Sequence, residues 1–317
     1  MGADGAVVTG IGMITPLGAD ARETLQAWRS GRRAEFAPAA EFSGTPLEGA
    51  ETAVAAAFDP GERLGSRRML KYMSGAAVLG CVAAHEASAD ADVSGRFRPE
   101  RVGIYAGVGL AAARAEDVVP VLRASVDEEG RFSSRLLGER GLAVANPLLS
   151  FKILANVPPC LVSIIEKVKG PSLIFTPWEG QTGQAFFEAW RAVADGEVDC
   201  ALAGAAETAA HPSTLAYLVQ AGLLRPGERA ADGAAYVVIE RAGSAQADGR
   251  RVYARIAGME VGAWEGGPCD PLAERMGRCF AAAPAIAFGL ACRTPGMGVA
   301  VGGADGQGFR ADLETCS

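Results

Sequence analysis

The sequence has few of the side chains that carry most catalysis and metal binding, with only two histidines among its 317 residues. Its seven cysteines form no CxxC pair and are odd in number, which argues against a disulfide framework or a zinc site and favours reduced, buried thiols. Aromatic residues make up 7%, and the net charge is −7 without runs of lysine or arginine. We therefore expect neither nucleic acid nor an anionic membrane as a partner.

The N-terminus has no secretory leader pattern, and no apolar run reaches the length of a membrane span. We therefore expect a cytoplasmic protein. Gly10-Ile11-Gly12 after a predicted strand resembles part of a dinucleotide fingerprint, but the third glycine is missing and Pro16 would interrupt the phosphate-binding helix. We predict no cofactor and no metal.

Hydrophobic residues make up 49% of the chain, and short apolar strands alternate with helical segments, which indicates an α/β protein with a mixed sheet. The predicted strands are 5–12, 101–107, 173–176, 199–204, 235–240 and 252–261. The predicted helices are 21–30, 67–90, 112–126 and 181–195. After Gly262 the order is abbreviated, with a helix over 271–283, a strand over 284–290 and a glycine-rich strand over 298–313.

The segment Val7–Gly18 resembles the opening of β-ketoacyl-ACP synthases and of the ketosynthase subunits of type II polyketide synthases. Further similar segments follow in the same order at Asn156–Pro158, Lys169–Ser172, Asp195–Glu207 and Val252–Gly258. The resemblance implies the thiolase fold, in which two related βαβαβαββ halves stack as five αβαβα layers. We predict an N-terminal half over 1–245 and a shortened C-terminal half over 246–317.

The resemblance also shows departures at the catalytic positions. The family has a cysteine on a sharp strand-to-helix turn, where the helix N-terminus stabilises the thiolate. Glu179 stands at that position, with Gln181 close behind it. Phe288 falls near the place of one family histidine, and the segment with the family lysine and second histidine is expected to be deleted around 293–297. His85 and His211 match no catalytic position of the family.

A ketosynthase needs a thiolate and two imidazoles, so we expect no catalytic residue in this chain. The profile resembles the chain length factor, the non-catalytic subunit that pairs with a catalytic ketosynthase in type II polyketide synthases. By this resemblance, we expect a heterodimer or heterotetramer with that ketosynthase. A second expected partner is an acyl carrier protein with a bound acyl chain. The short C-terminal half is similar to chain length factors of highly reducing, polyene-forming systems.

The resemblance implies a tunnel that limits acyl chain length, lined by small residues and closed by larger ones. The expected lining residues are Ala112, Ala113, Ala115, Glu116, Val119 and Leu122. Val119 and Leu122 are the expected floor.

Two alternatives remain open at this stage. Glu179 or Gln181 could serve a stand-alone malonyl-ACP decarboxylase or acyltransferase, or the chain could be a pseudoenzyme that binds acyl-ACP. A purely structural role is also open for Glu179, in which its carboxylate accepts hydrogen bonds from backbone amides at the start of a helix.

Overall fold

The computed structural model describes residues 5–38, 42–45, 47–110 and 115–316, without the side chain of Ala115. The strands of this described part are β1 (Ala6–Ile14), β2 (Ala37–Pro38), β3 (Glu51–Ala53), β4 (Val102–Val108), β5 (Ser172–Phe175), β6 (Cys200–Thr208), β7 (Ala230–Arg241), β8 (Ala254–Ala263), β9 (Val299–Gly302) and β10 (Gln307–Thr315).

The α-helices of the described part are α1 (Ala21–Arg29), α2 (Pro60–Arg63), α3 (Gly75–Ala91), α4 (Val93–Arg96), α5 (Ala115–Ala124), α6 (Ser134–Leu136), α7 (Leu149–Ile153), α8 (Val157–Glu166), α9 (Glu179–Ala194), α10 (Pro212–Gln220), α11 (Ala242–Ala247), α12 (Ala273–Met276) and α13 (Ala283–Ala291).

The main sheet has the strand order β5-β4-β6-β7-β1-β8-β10-β9. Its first five strands come from the N-terminal part, where β4 pairs in parallel with β5 and β6, and β7 runs antiparallel to β1 and β6. The last three strands pair antiparallel with one another. The two groups meet only through a short pairing of Val7 and Val8 with β8, so the strands diverge beyond it.

Helices α9 and α13 fill the space between these two groups of strands. Helix α9 contacts β4 and β6 on one side and β8 and β10 on the other, while α13 contacts β7 and β9. On the opposite face of the N-terminal strands, α3 packs on β1, β6 and β7, and α8 packs beside it. This gives four layers: helices, sheet, helices and sheet.

The outer face of the C-terminal strands carries polar residues in place of the fifth layer that the resemblance implied. Arg255 and Glu260 of β8 and Arg310 and Asp312 of β10 are exposed, in the alternation expected for an antiparallel sheet with one solvated face. Within the residues described, no helix covers this face. Among the residues described, the C-terminal strands are therefore covered by helices on one face only.

Trp264 covers the backbone of two neighbouring glycines on this exposed face. A Cβ atom at Gly308 would lie 2.0 Å from the indole and one at Gly302 would lie 2.2 Å from it, so the ring rests directly on this cross-strand glycine pair. The guanidinium of Arg310 lies 4.6 Å from the centre of a Trp264 ring. The indole therefore shields backbone that would otherwise face water.

Most of the predicted elements are confirmed, but the strand predicted over 284–290 is wrong. Residues Ala283–Ala291 form α13, in which Pro284 occupies the first turn and every residue is buried. A short run that is apolar on all sides fits a buried helix as well as a buried strand, so periodicity could not separate the two. The predicted helix 271–283 contains only the short α12, which ends at Gly277 with φ of 86°.

Other boundaries shift for local reasons. Ser74 caps α3, which therefore begins at Gly75 instead of residue 67. The glycine-rich segment 298–313 forms two strands, β9 and β10, with a turn between them. The predicted boundary between halves, at 245/246, falls within α11, and the division into halves stays a prediction. None of the helices described has the length and apolar character required to cross a membrane.

Candidate functional site

The N-terminus of α9 places Glu179 at the centre of the molecule, between the two groups of strands. Glu179 is the first residue of the helix and is 1% exposed. The preceding residue, Trp178, provides no side-chain cap, and the carboxylate of Glu179 interacts with the backbone amide of Glu179 itself. A helix N-terminus favours such a negative charge.

The partner of Glu179 is Arg278, a residue that sequence reasoning did not select. Arg278 Nη2 donates to Glu179 Oε1 at 2.9 Å, and Arg278 is 2% exposed. Its Nη1 donates to the carbonyl oxygen of Leu223 at 2.8 Å and to Glu228 Oε2 at 3.2 Å. Burial raises the pKa of Glu179, while the adjacent guanidinium opposes that shift. The pair is therefore a buried, hydrogen-bonded ion pair.

The turn between β9 and β10 closes over this ion pair. The backbone amide of Ala304 donates to Glu179 Oε2 at 3.4 Å. Glycines on α9 allow β10 to approach closely, since a Cβ at Gly180 would lie 2.3 Å from Cβ of Gln307, and one at Gly183 would lie 2.5 Å from Cβ of Phe309. The position of the expected nucleophile is thus sealed by the C-terminal hairpin.

Three more carboxyl groups lie in the interior near the ion pair, with Glu207 fully buried and Asp232 and Asp270 partly buried. Burial raises the pKa of Glu207 to about 8, that of Asp270 to about 7 and that of Asp232 to about 6. Glu207 accepts hydrogen bonds from the backbone amides of Leu110 and Thr208 at 3.2 and 2.9 Å. Burial beside Glu179 therefore favours the protonated form of these acids, most strongly for Glu207, and a protonated carboxyl group is a poor nucleophile.

The cysteine next to this site is not a thiolate. Cys279 follows Arg278 in the chain, and its Sγ lies 3.8 Å from the carbonyl oxygen of Asp232. Burial raises the pKa of Cys279 well above its ordinary value, and the neighbouring carboxyl groups raise it further. A protonated thiol does not attack a thioester readily, because the thiolate is the nucleophilic form.

The structure separates the other predicted site residues from Glu179. Phe288 is fully buried in α13, with its ring centre 4.8 Å from that of Phe186 and 6.4 Å from that of Phe309. It is a core residue, and Arg278 is the C-terminal side chain that contacts Glu179. Gln181 is half-buried in the first turn of α9.

Neither histidine reaches the site in a catalytic role. His85 lies on α3, where Nδ1 is 2.7 Å from Oε1 of Glu166 on α8, and this carboxylate raises the pKa of the imidazole. His211 caps α10 and its Nδ1 lies 3.0 Å from the hydroxyl of Ser213.

The predicted tunnel residues divide into two groups. Ala112 and Ala113 lie outside the described residues, as does the side chain of Ala115. Glu116, Val119 and Leu122 are on the exposed side of α5, with Val119 36% and Leu122 47% exposed. The side of α5 that faces the interior carries Asp117, which accepts hydrogen bonds from Lys152 and Asn146 at 2.5 Å each.

Arg278 could have been suspected from one physical requirement. A carboxylate at a buried helix start needs a cation or several donors, because an unpaired buried charge is strongly unfavourable. Arg278 lies in an otherwise apolar C-terminal stretch, Met276–Leu290, and is therefore a candidate for that cation. Nothing in the sequence indicated the buried state of Asp232 and Asp270.

Replacing Arg278 by methionine is expected to lower the free energy of unfolding by about 3–5 kcal/mol, because Glu179 would remain buried without its cation. The double variant Glu179→Gln with Arg278→Met should recover part of this loss, because the one charge that loses its partner is then the partly exposed Glu228. Urea denaturation measures both. Arg131→Met, which breaks an exposed ion pair, is the control and should cost about 1 kcal/mol or less. Equal losses in the two single variants would contradict the structural role of Arg278.

Glu207 should make the protein less stable as pH rises. Its pKa is about 8 in the folded state and ordinary in the unfolded state, so the folded state binds more protons between these values. The free energy of unfolding should therefore fall from pH 5 to pH 8. In Glu207→Gln this fall should shrink by on the order of a few kcal/mol, as measured by urea denaturation at both pH values. Glu128→Gln, at an exposed position, should leave the pH dependence unchanged.

Comparison with known proteins identifies the family to which most of the chain is similar. Residues 4–252 match the family described as beta-ketoacyl synthase, N-terminal domain. A curated relative, the oxytetracycline polyketide putative beta-ketoacyl synthase 1 of Streptomyces rimosus, is 27% identical in an alignment of 269 residues that covers 80% of this chain. The chain spans 61% of the length of that relative.

Solved structures of similar fold cover nearly the whole chain. The ishigamide ketosynthase/chain length factor superposes with a TM-score of 0.75 and 17% identity, over 99% of this chain and 100% of that one. A type II polyketide synthase acyl-carrier protein in complex with its ketosynthase bound to the hexaketide also gives 0.75, with 16% identity and 99% of both chains covered.

A beta-ketoacyl synthase from Burkholderia phymatum gives a TM-score of 0.66 with 21% identity, over 84% of this chain and 66% of that one. These likenesses establish the thiolase fold of the ketosynthases, here with its C-terminal outer layer missing from the described part. On the extent of the family match, the chain belongs to the beta-ketoacyl synthase family.

Proposed function

We propose that this protein is a non-catalytic chain length factor, which pairs with a catalytic ketosynthase and limits acyl chain length in type II polyketide biosynthesis. The observation that carries the proposal is the sealed ion pair of Glu179 with Arg278 at the start of α9. It occupies the position where the resemblance requires a reactive thiolate. A carboxylate held by a guanidinium and shielded from solvent cannot accept an acyl chain.

The surface between residues 119 and 173 supports an association with a partner subunit. Ten of the thirteen large hydrophobic residues that are exposed in the described part come from this stretch. They are Val119, Leu122, Phe132, Leu142, Val144, Phe151, Ile153, Leu154, Ile164 and Leu173. We call this set the apolar surface. Monomeric proteins rarely expose so many apolar side chains from one region, whereas obligate interfaces do.

Strand β5 adds an open sheet edge to the apolar surface. It lies at the end of the strand order and pairs, within the residues described, only with β4. Leu173 in this strand is 43% exposed. An uncovered edge with apolar side chains is a template for another chain, so a ketosynthase subunit is the partner that we propose for it.

The exposed positions of Val119 and Leu122 fit a tunnel that the partner completes. Both residues belong to the apolar surface, so a tunnel wall built from them would lie at the interface and not inside this subunit. The acyl chain would be delivered by an acyl carrier protein and held by the partner's thiol. The further placement among highly reducing, polyene-forming systems rests on the shortened C-terminal part.

Pairing should depend on the apolar surface. Leu173→Asp and Ile164→Asp each place a charge in the proposed interface, and we expect each to weaken binding to the cognate ketosynthase about 30-fold or more. Analytical ultracentrifugation or biolayer interferometry of the purified pair measures this. Val54→Asp is the matched control, since Val54 is 68% exposed but lies outside the apolar surface. If the aspartate variants bound like the wild type, another surface would have to be the interface.

Product length in the reconstituted pair tests the function itself. With malonyl-loaded carrier protein, we expect the pair to condense and this chain alone to release no acetyl-carrier protein. Ala113→Phe should shorten the products and Leu122→Ala should lengthen them, because the tunnel limits chain length by its volume. Mass spectrometry of the carrier-bound chains gives the readout. Decarboxylation by the isolated chain, abolished in Glu179→Gln, would instead favour a stand-alone decarboxylase.

A further inference from the structure

A cleft opens where β1 and β8 diverge. These strands pair only at Val7 and Val8, and beyond this point the edge of β1 has no strand partner in the described part. The cleft has a volume of about 690 Å³, within the usual range of small-molecule sites. Its walls come from β1, α1, α3 and the segments around 253 and 293. Apolar side chains of Ile11, Ala21 and Leu25 contribute to the lining.

Two carboxylates at the base of the cleft already accept hydrogen bonds from the protein itself. Asp90 Oδ2 accepts from the amide of Ile11 at 3.1 Å, and its Oδ1 accepts from the hydroxyl of Tyr253 at 3.0 Å. Glu86 accepts from the amides of Met13 and Ala21 at 3.1 and 2.9 Å. Asp90 and Glu86 thus accept the hydrogen bonds that a neighbouring strand would otherwise accept from the amides of β1. The cation nearest Glu86 is Arg63, at 3.7 Å.

Arginines without a carboxylate partner surround the same cleft. Three of them line it, namely Arg22, Arg29 and Arg293. Two more lie at its edge, where Arg250 donates to the backbone oxygen of Asp90 and Arg251 lies 5.0 Å from the centre of the Tyr253 ring. In the described part none of these five forms an ion pair with a carboxylate.

This concentration of positive charge contrasts with the net charge of the chain, which is −7. Elsewhere in the described part, arginines such as Arg96, Arg101 and Arg278 are paired with carboxylates. Unpaired guanidiniums around a concave, partly apolar recess favour a ligand that brings the missing negative charge.

We infer that the cleft between β1, α1 and Arg293 binds a small amphiphilic anion, with its apolar body against Ile11 and Leu25 and its carboxylate or phosphate between Arg22, Arg29 and Arg293. Guanidinium groups bind either headgroup through paired N–H donors, and phosphate offers more acceptor oxygens. The Tyr253 ring is flanked by Arg251 and Arg293, so it orients these cations and does not stack on the ligand.

The cleft lies at the opposite side of the N-terminal strands from the proposed interface. Strands β4, β6, β7 and β1 separate β5 from β8 in the sheet order. The inference does not rest on the proposed function, and a ligand could bind here while a ketosynthase subunit covers the apolar surface.

Isothermal titration calorimetry at low ionic strength tests the inference with four probes. Hexyl phosphate and hexanoate carry an apolar body and an anionic group, whereas hexan-1-ol lacks the charge and inorganic phosphate lacks the apolar body. We expect hexyl phosphate to bind more tightly than the other three. The order of hexyl phosphate and hexanoate decides between the two headgroups.

Arg22→Gln and Arg293→Gln should each weaken hexyl phosphate binding about tenfold or more, because each removes a charge-assisted hydrogen bond. Arg68→Gln is the matched control, since Arg68 is exposed, forms no ion pair in the described part and lies away from the cleft. Thermal unfolding should show that Arg22→Gln, at an exposed position of α1, folds normally. Absence of binding, equal binding of hexan-1-ol, or unchanged binding in both cleft variants would overturn the inference.

Discussion

The position of α9 between two groups of strands is the constraint on which the rest of the structure depends. The N-terminus of this helix is buried, so its backbone amides and any charge placed there must be satisfied from within the protein. The Glu179 carboxylate accepts from its own backbone amide, Arg278 balances the charge of Glu179, and β10 approaches Gly180 and Gly183 closely. The same packing that completes the core therefore closes the position that the family uses for chemistry.

Under the proposed function, this closure accounts for a family member that keeps the fold without the reaction. The catalytic thiolate of a ketosynthase must be reachable by an acyl chain, which demands a channel to the helix N-terminus. In this chain the β9–β10 turn and Arg278 take that space, and neighbouring acids such as Glu207 and Asp270 are stabilised in their neutral forms by burial. What remains outward-facing is the apolar surface and the edge of β5. On the proposed function, the molecule thus exposes the apolar surface for association with a partner and exposes no reactive group.

Much of the fold could be predicted from the sequence, because its elements carry local signals. The strands β1, β4, β6 and β7 are apolar runs bounded by glycine, and the helix after Trp178 follows directly from the family pattern. The error at Ala283–Ala291 has a physical origin, since a helix buried on all sides has no amphipathic period to detect. The loss of the outer helical layer was signalled by the short C-terminal part, but the Trp264 cover over Gly302 and Gly308 depends on tertiary contacts.

The site was less predictable, because Glu179 and Arg278 are 99 positions apart and only the fold brings them together. Their pairing also has an evolutionary consequence. Exchanging Glu179 alone for cysteine would leave the buried Arg278 with only Glu228 and the Leu223 carbonyl oxygen as partners, while exchanging Arg278 alone would leave the Glu179 carboxylate without a cation. Each single step toward a thiol lowers stability before any reactivity is gained, so the two positions are coupled by epistasis. For the non-catalytic subunit proposed above, acyl transfer would require both exchanges together with a reopened hairpin, so the ion pair acts as a barrier against reversion.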